Sequence, residues 1–181
     1  MRINTKPVHR YSINVNYIRY FFVTLLAVAL FIIQMTPGCI PAPWNIRAQL
    51  VIPFVVCVGA SRGEMTGLVY GLLAGLMWDS VSPEMWGYHT FILAVAGCLS
   101  GLTVKYLFRK NAGSVIFLCG MVLVLYLFLY WFFFIAMRGY EGAWRILLFN
   151  YLPSTVYTMI YAVPICGLIR LIFGKYAFRE I

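Results

Sequence analysis

Charged side chains are scarce in this sequence, and acidic ones are the scarcest. Only 10% of the 181 residues are charged, and Asp and Glu together number 5 against 14 Lys and Arg. Soluble domains carry about 25% charged residues, and a chain this short cannot hide so much apolar surface from water. With 63% hydrophobic residues and a mean hydropathy of +0.87, the composition predicts an integral membrane protein.

The motifs of catalysis and metal binding are also missing. The sequence contains no H-E-x-x-H, no G-x-S-x-G and no pair of carboxylates inside an apolar segment, which are typical ways to activate a water or a nucleophile. Its five cysteines are scattered without C-x-x-C spacing, at Cys39, Cys57, Cys98, Cys119 and Cys166. We therefore expect no enzyme, no cofactor, no metal site and no disulfide framework.

Charged and turn residues divide the chain into six apolar segments, at residues 20–35, 48–60, 65–78, 88–104, 114–137 and 146–173. The pattern predicts an all-α integral membrane fold of about six transmembrane helices. A basic cytoplasmic segment (residues 1–19) precedes this membrane domain (residues 20–173), and a short cytoplasmic tail (residues 174–181) follows it. We expect the first apolar segment to be a retained helix, because no A-x-A-like cleavage site follows it.

The second and third segments are shorter than the roughly 20 residues that cross a hydrocarbon core. They form either two short spans, in a thinned or protein-surrounded region, or one re-entrant hairpin. The hairpin would bury Arg62 and Glu64 near the midplane of the membrane at a cost of several kcal/mol. Two spans are therefore the preferred interpretation.

The placement of basic residues predicts the orientation. If the N-terminus is cytoplasmic, eleven of the fourteen Lys and Arg residues fall on the cytoplasmic side, and only Arg47, Arg138 and Arg145 fall outside. This asymmetry follows the positive-inside rule and predicts a multi-pass protein with both termini in the cytoplasm. The same placement argues against nucleic acid as a partner despite the net charge of +9, since the basic residues bracket apolar spans.

A row of small residues marks the third segment. Gly63, Gly67, Gly71 and Gly75 recur every four residues, and Asp79 follows at the next step. Such a row drifts slowly around a helix and lets another backbone approach closely. Gly97 and Gly101 give the fourth segment a weaker version. Two interpretations stay open: packing within the chain, or a groove that receives a partner's transmembrane helix.

Asp79 is the one carboxylate beside the apolar core of a span. We expect a solvated or loop-bonding aspartate that holds the turn into Gly87, rather than a proton or ligand site. Few other polar residues fall within the spans. The candidates for lining a pocket are Tyr70, Asp79, Asn150, Thr155 and Tyr157.

The run from residue 62 to 111 resembles the rod shape-determining MreD family. It has a G-x-x-x-G-x-x-x-G helix that ends in Asp79, a short loop with Gly87, and an apolar helix that runs into a basic turn. Pro53 in the second segment and the late Leu152-Pro153 pair also fit. The resemblance implies a fold similar to the substrate-binding S components of energy-coupling-factor transporters. The basic N-terminus and the Pro-rich first loop depart from the family's pattern.

The resemblance also implies a function, namely a non-enzymatic scaffold subunit of the bacterial cell-elongation machinery in the inner membrane. The implied partners are an MreC-like single-pass protein, an MreB-like actin filament, and the glycan polymerase and transpeptidase of lateral peptidoglycan synthesis. The alternative is an S component of a vitamin transporter, while an ion channel lacks the buried ionisable groups it needs. We expect helix packing or partner binding at Gly63, Gly67, Gly71, Gly75, Asp79, Gly87, Gly97, Gly101 and Pro153.

Overall fold

The computed structural model describes residues 9–36, 38, 48–82, 87–107, 112–137 and 143–173. These residues form seven α-helices and no strand, which confirms the all-α fold. The helices are α1 (His9–Met35), α2 (Val51–Arg62), α3 (Glu64–Asp79), α4 (Tyr88–Tyr106), α5 (Ala112–Trp131), α6 (Ala143–Ile146) and α7 (Leu152–Phe173). One π-helical turn, Phe132–Ala136, extends α5, and another, Leu147–Tyr151, joins α6 to α7.

Four stretches are long and apolar enough to cross a membrane: Tyr17–Met35, Tyr88–Tyr106, Gly113–Ile135 and Leu148–Phe173. The protein is therefore an all-α, multi-pass membrane protein. The helices α2 and α3 have only 12 and 16 residues, so a total of six crossings stays a prediction.

The turn between α2 and α3 lies at one end of the bundle, which we call the Arg62 end. The Arg62 guanidinium carbon lies 4.3 Å from the ring centroid of Phe173, at the end of α7. Beside it, the Lys105 ammonium of α4 lies 3.0 Å from the Glu64 carboxylate. Both contacts place the α2–α3 turn level with the ends of other helices and not halfway along them, which argues against a re-entrant hairpin.

The opposite end of the bundle, which we call the Asp79 end, holds the start of α2 and the end of α3. The Val51 amide donates to Oε1 of Gln34, near the end of α1, across 3.1 Å. The Asp79 carboxylate accepts hydrogen bonds at the start of α4. Both α2 and α3 thus run between the same two ends as the long helices.

Helix α2 is the core of the bundle. Every residue from Val51 to Ser61 is buried, and α2 packs against α3, α4, α5 and α7. Its 12 residues extend about 18 Å, against a hydrocarbon core of about 30 Å. A helix this short is accommodated because protein surrounds it on all sides.

Two of the prolines lie where an α-helix tolerates them. Pro53 falls in the first turn of α2, and Pro153 falls in the first turn of α7, directly after the π-helical turn Leu147–Tyr151. In a first turn the missing N–H leaves no α-helical hydrogen bond unmade. Pro164 lies inside α7.

The sequence indicates no disulfide framework, and the structure contains one bonded pair of cysteines that the spacing does not predict. Cys57 on α2 and Cys166 on α7 are disulfide-bonded across a sequence separation of 109 residues, with their Cα atoms 5.6 Å apart. That Cα distance is within the usual range for disulfides. The spacing rule detects pairs that are close in sequence, whereas this pair is formed by the packing of two distant helices.

Candidate functional site

Glycines bring the backbones of α2, α3 and α4 into direct contact. A Cβ added at Gly67 on α3 would overlap the carbonyl of Gly97 on α4 and would lie 2.7 Å from the Cα of Gly59 on α2. Atoms this close must move, and a backbone has no flexible end that can yield. Gly59, which the sequence analysis did not single out, completes this three-helix crossing.

The same contact continues along α3 toward the Asp79 end. A Cβ at Gly71 would overlap the carbonyl of Leu93, and one at Gly75 would overlap the backbone of Thr90. At the Arg62 end, a Cβ at Gly101 would lie 2.6 Å from the Gly63 carbonyl carbon. Helices α2 and α4 therefore cover the glycine face of α3. The alternative interpretation of the glycine row, a groove for a partner's transmembrane helix, would need this face to be open.

Gly63 and Gly87 serve turns and not helix faces. Their φ angles are +95° and +94°, a backbone conformation that side chains with a Cβ adopt rarely. A Cβ at either position would have no atom within 4 Å. Gly63 therefore belongs to the one-residue turn between α2 and α3, although it keeps the four-residue spacing of the row.

Asp79 caps helix α4 from the neighbouring helix. Its carboxylate accepts the backbone N–H groups of Gly87, His89 and Thr90 at 3.0 to 3.1 Å, and the Thr90 hydroxyl at 2.5 Å. These amides belong to the first turn of α4, where no α-helical acceptor exists. The side chain bonds the loop as expected, but it is buried at 6% exposure and is not solvated.

His89 lies next to this cap in a stack of aromatic rings. Its imidazole is parallel to the Trp78 ring at 4.7 Å and to the Tyr130 ring at 6.2 Å, measured between centroids. The Nδ1 atom lies 2.7 Å from the Tyr126 hydroxyl oxygen. Both side chains of this hydrogen bond are buried, and the stack forms a wall that joins α3, α4 and α5.

A cavity of about 420 Å³ opens above this wall at the Asp79 end. Ala48 and Gln49, which lead into the short helix α2, form part of its lining. The lining residues are Gln34, Met35, Ala48, Gln49, Trp78, Val81, Ser82, His89, Tyr126, Tyr130 and Tyr151. The volume is within the range of ligand pockets, roughly 300–1,000 Å³.

Among the described residues, the lining of the cavity is aromatic and polar and includes no Lys, Arg, Asp or Glu. The amide oxygen of Gln49 is buried there without a hydrogen-bond partner among the described residues. A buried acceptor without a partner costs about 1–3 kcal/mol. These residues suit an occupant with apolar faces and a few hydrogen-bonding groups, one of which can pair with the amide of Gln49.

The polar residues that the sequence analysis proposed for a pocket do not line this cavity. The Tyr70 hydroxyl bonds Thr24 on α1, and the Asn150 side chain is exposed. Thr155 bonds the carbonyl of Leu152, and Tyr157 pairs with Tyr161. The sequence features that could indicate this cavity are the short second segment and three tyrosines of later segments, Tyr126, Tyr130 and Tyr151.

Comparison with known proteins gives one family. The family of the rod shape-determining protein MreD matches residues 16–176 of the chain. No curated protein and no solved structure matches.

Proposed function

The chain belongs to the MreD family, and on this basis we propose that it is a non-enzymatic scaffold subunit of the bacterial cell-elongation machinery. Membership of a family of shape-determining membrane proteins gives it a role in rod-shape determination. The family match over residues 16–176 is the observation that carries the proposal. A scaffold acts by presenting surfaces, and the structure supplies a rigid one at the Asp79 end.

We propose that the protein lies in the inner membrane with both termini in the cytoplasm, so that the cavity opens outward. In support, the charged residues Arg62, Lys105 and Arg170 all lie at the Arg62 end of their helices. Basic residues favour the cytoplasmic side.

Thiol labelling tests this orientation in a background that lacks Cys39 and Cys98. We expect Val81→Cys, beside the cavity, to react with a membrane-impermeant maleimide added to intact cells. Leu107→Cys, at the other end of the bundle, should react only after lysis. Both side chains are exposed, at 57% and 78%, so burial does not bias the comparison. The reverse pattern would contradict the proposed topology.

The proposed partners are an MreC-like single-pass protein, an MreB-like actin filament, and the glycan polymerase and transpeptidase of the elongation complex. For the single-pass protein we propose the cavity as the docking site of the segment that follows its membrane helix. The aromatic and polar side chains described in the lining suit the side chains of a polypeptide, and the amide of Gln49 in that lining suits a hydrogen bond with it.

Photo-crosslinking in cells tests the docking site. A benzophenone amino acid at Val81, which lines the cavity, should capture a single-pass protein, with the crosslinked peptide next to its membrane helix. The matched control is Met65, which is 75% exposed near the Arg62 end and should not capture that peptide. Capture of that peptide from Met65 and not from Val81 would refute the site.

The alternative function, an S component of a vitamin transporter, is favoured by one observation. The cavity has the volume of a small-ligand pocket and holds more polar groups than the sequence suggested. If the scaffold proposal is right, depletion of the protein rounds the cells and added vitamins do not rescue their shape. Saturable uptake of a small solute that Gln49→Met abolishes would instead support the transporter.

A further inference from the structure

Three cysteines from three helices converge in the core of the bundle. Cys57 on α2, Cys119 on α5 and Cys166 on α7 have sulfur atoms that all lie within 4.8 Å of one another. Their side chains are 1%, 0% and 9% exposed.

Two of the three cysteines are bonded to each other, and the third lies beside them. Cys57 and Cys166 form the disulfide, and the Cys119 sulfur lies 3.7 Å from that of Cys57. A dithiol reductant opens such a bond by exchange: the disulfide gains two electrons and two protons to give two thiols, while the reductant becomes a disulfide. After this step the cluster consists of three thiols that lie close together.

We propose that the reduced form of this cluster is a binding site for one Cu(I) ion. Thiols are soft ligands that select Cu(I), and Zn(II) in structural sites takes four ligands in a tetrahedron. Within the described ranges of the chain, the cluster supplies three ligands, because no fourth His, Cys, Asp or Glu joins it. Three sulfurs without a fourth ligand suit a soft, low-coordinate ion.

The surroundings of the cluster fit the charge of such a complex. A cavity of about 210 Å³ reaches it, lined by Cys57, Ser61, Val115, Ile116, Val163, Cys166, Gly167 and Arg170. If two thiols lose their protons to solvent and the third binds as a thiol, the complex with Cu(I) carries one negative charge. Arg170 also lines this cavity and brings a basic side chain close to the cluster. The cavity also provides a path by which the reductant and the ion can enter.

Titration of the purified protein with Cu(I) tests the site. The full chain in detergent is reduced with a phosphine under nitrogen, freed of reductant, and titrated against the chromogenic Cu(I) chelator bicinchoninate. We expect one Cu(I) per chain and an X-ray absorption spectrum with a shell of three sulfurs. Cys119→Ala should lower the affinity at least about tenfold, since loss of even a residue that only supports a ligand costs about this much, and should leave two sulfurs.

The matched control is the double variant Cys39→Ser with Cys98→Ser, which removes the cysteines outside the cluster and should bind Cu(I) like the unchanged protein. Should Cys119→Ala fail to fold, Cys166→Ser provides the same comparison, and the three-sulfur shell of the unchanged protein remains decisive. Equal affinity in Cys119→Ala, loss of binding in the control, or a Cys57–Cys166 bond that resists reduction in the folded protein would each overturn the proposal.

Discussion

The two halves of the bundle use glycine in opposite ways. In α2, α3 and α4, glycines such as Gly67 and Gly97 face the backbone of a neighbouring helix, and a methyl group at either would overlap it. In α5 and α7, a Cβ at Gly120 would meet only the flexible end of Met159, and one at Gly167 would meet nothing within 4 Å. The first half is held by contact between backbones, and the second by bulky side chains.

The two halves of the bundle therefore differ in how far their packing can adjust. The glycine-packed half fixes the ends of α3 and α4, so that Asp79 can cap α4 and hold His89 in its stack. The other half contributes Tyr126, Tyr130 and Tyr151 to the cavity. We infer that the first half positions the surface at the Asp79 end, while the second can adjust its side chains to an occupant.

The largest expected effect comes from large side chains in the glycine contacts. Gly71→Leu and Gly75→Leu should abolish rod shape and lower the amount of folded protein in the membrane. Overpacking costs about 1–3 kcal/mol even where side chains can yield, and here only backbone faces the new group. Leu72→Ala and Leu76→Ala on the exposed face of α3 should be tolerated. Normal rod shape at normal levels of the leucine variants would contradict the packing role.

A smaller substitution sharpens the comparison between the two halves. Gly67→Ala should lower the thermal unfolding midpoint in detergent strongly, because its methyl group meets the Gly97 carbonyl. Gly167→Ala is the matched control in open space, and it should leave stability unchanged or raise it by up to about 1 kcal/mol through helix propensity. Equal shifts in the two variants would show that the halves do not differ.

A structural property can be predicted from the sequence where it depends on the type and period of the residues. The four-residue spacing of Gly67, Gly71 and Gly75 indicates a surface for close approach, and the turn into Gly87 indicates a bonded Asp79. The sequence gives no such indication where distant segments meet. The Cys57–Cys166 bond and the cavity around Gln49 both depend on which helices become neighbours and on where α2 begins in the bundle. A local sequence pattern predicts neither.

The next largest effect should follow from changing the cap of α4. Asp79→Asn replaces one of the two acceptor oxygens by an NH₂ donor. The carboxylate accepts from the His89 amide, the Thr90 amide and the Thr90 hydroxyl, and at least one of these donors then loses its acceptor. Each unsatisfied buried donor costs about 1–3 kcal/mol. Thr90→Val removes a single hydroxyl bond and should cost less. Unfolding midpoints of the two variants measure the difference, and an Asn variant as stable as the unchanged protein would exclude the capping role.

The cavity variant Gln49→Met should change stability and function in opposite directions. Met keeps the length of the side chain but removes the buried oxygen that lacks a partner, so the unfolding midpoint should rise slightly. Loss of the same oxygen should weaken co-purification of the single-pass partner and impair rod shape. A variant that is stabilised and fully functional would show that no occupant uses Gln49.

The smallest effect is expected from the ion pair at the Arg62 end. The Glu64 and Lys105 side chains are 30% and 35% exposed, and an ion pair that reaches solvent is screened by water and salt and contributes little. The contact between α3 and α4 at this end is already made by Gly101 against the backbone of Glu64. Glu64→Gln should therefore shift the unfolding midpoint less than Thr90→Val does, and Gly101→Ala should shift it more than both. A double-mutant cycle with Lys105→Gln at low and high salt measures the pair directly. A large coupling that persists in high salt would mean that charge, and not backbone contact, holds this end of the bundle together.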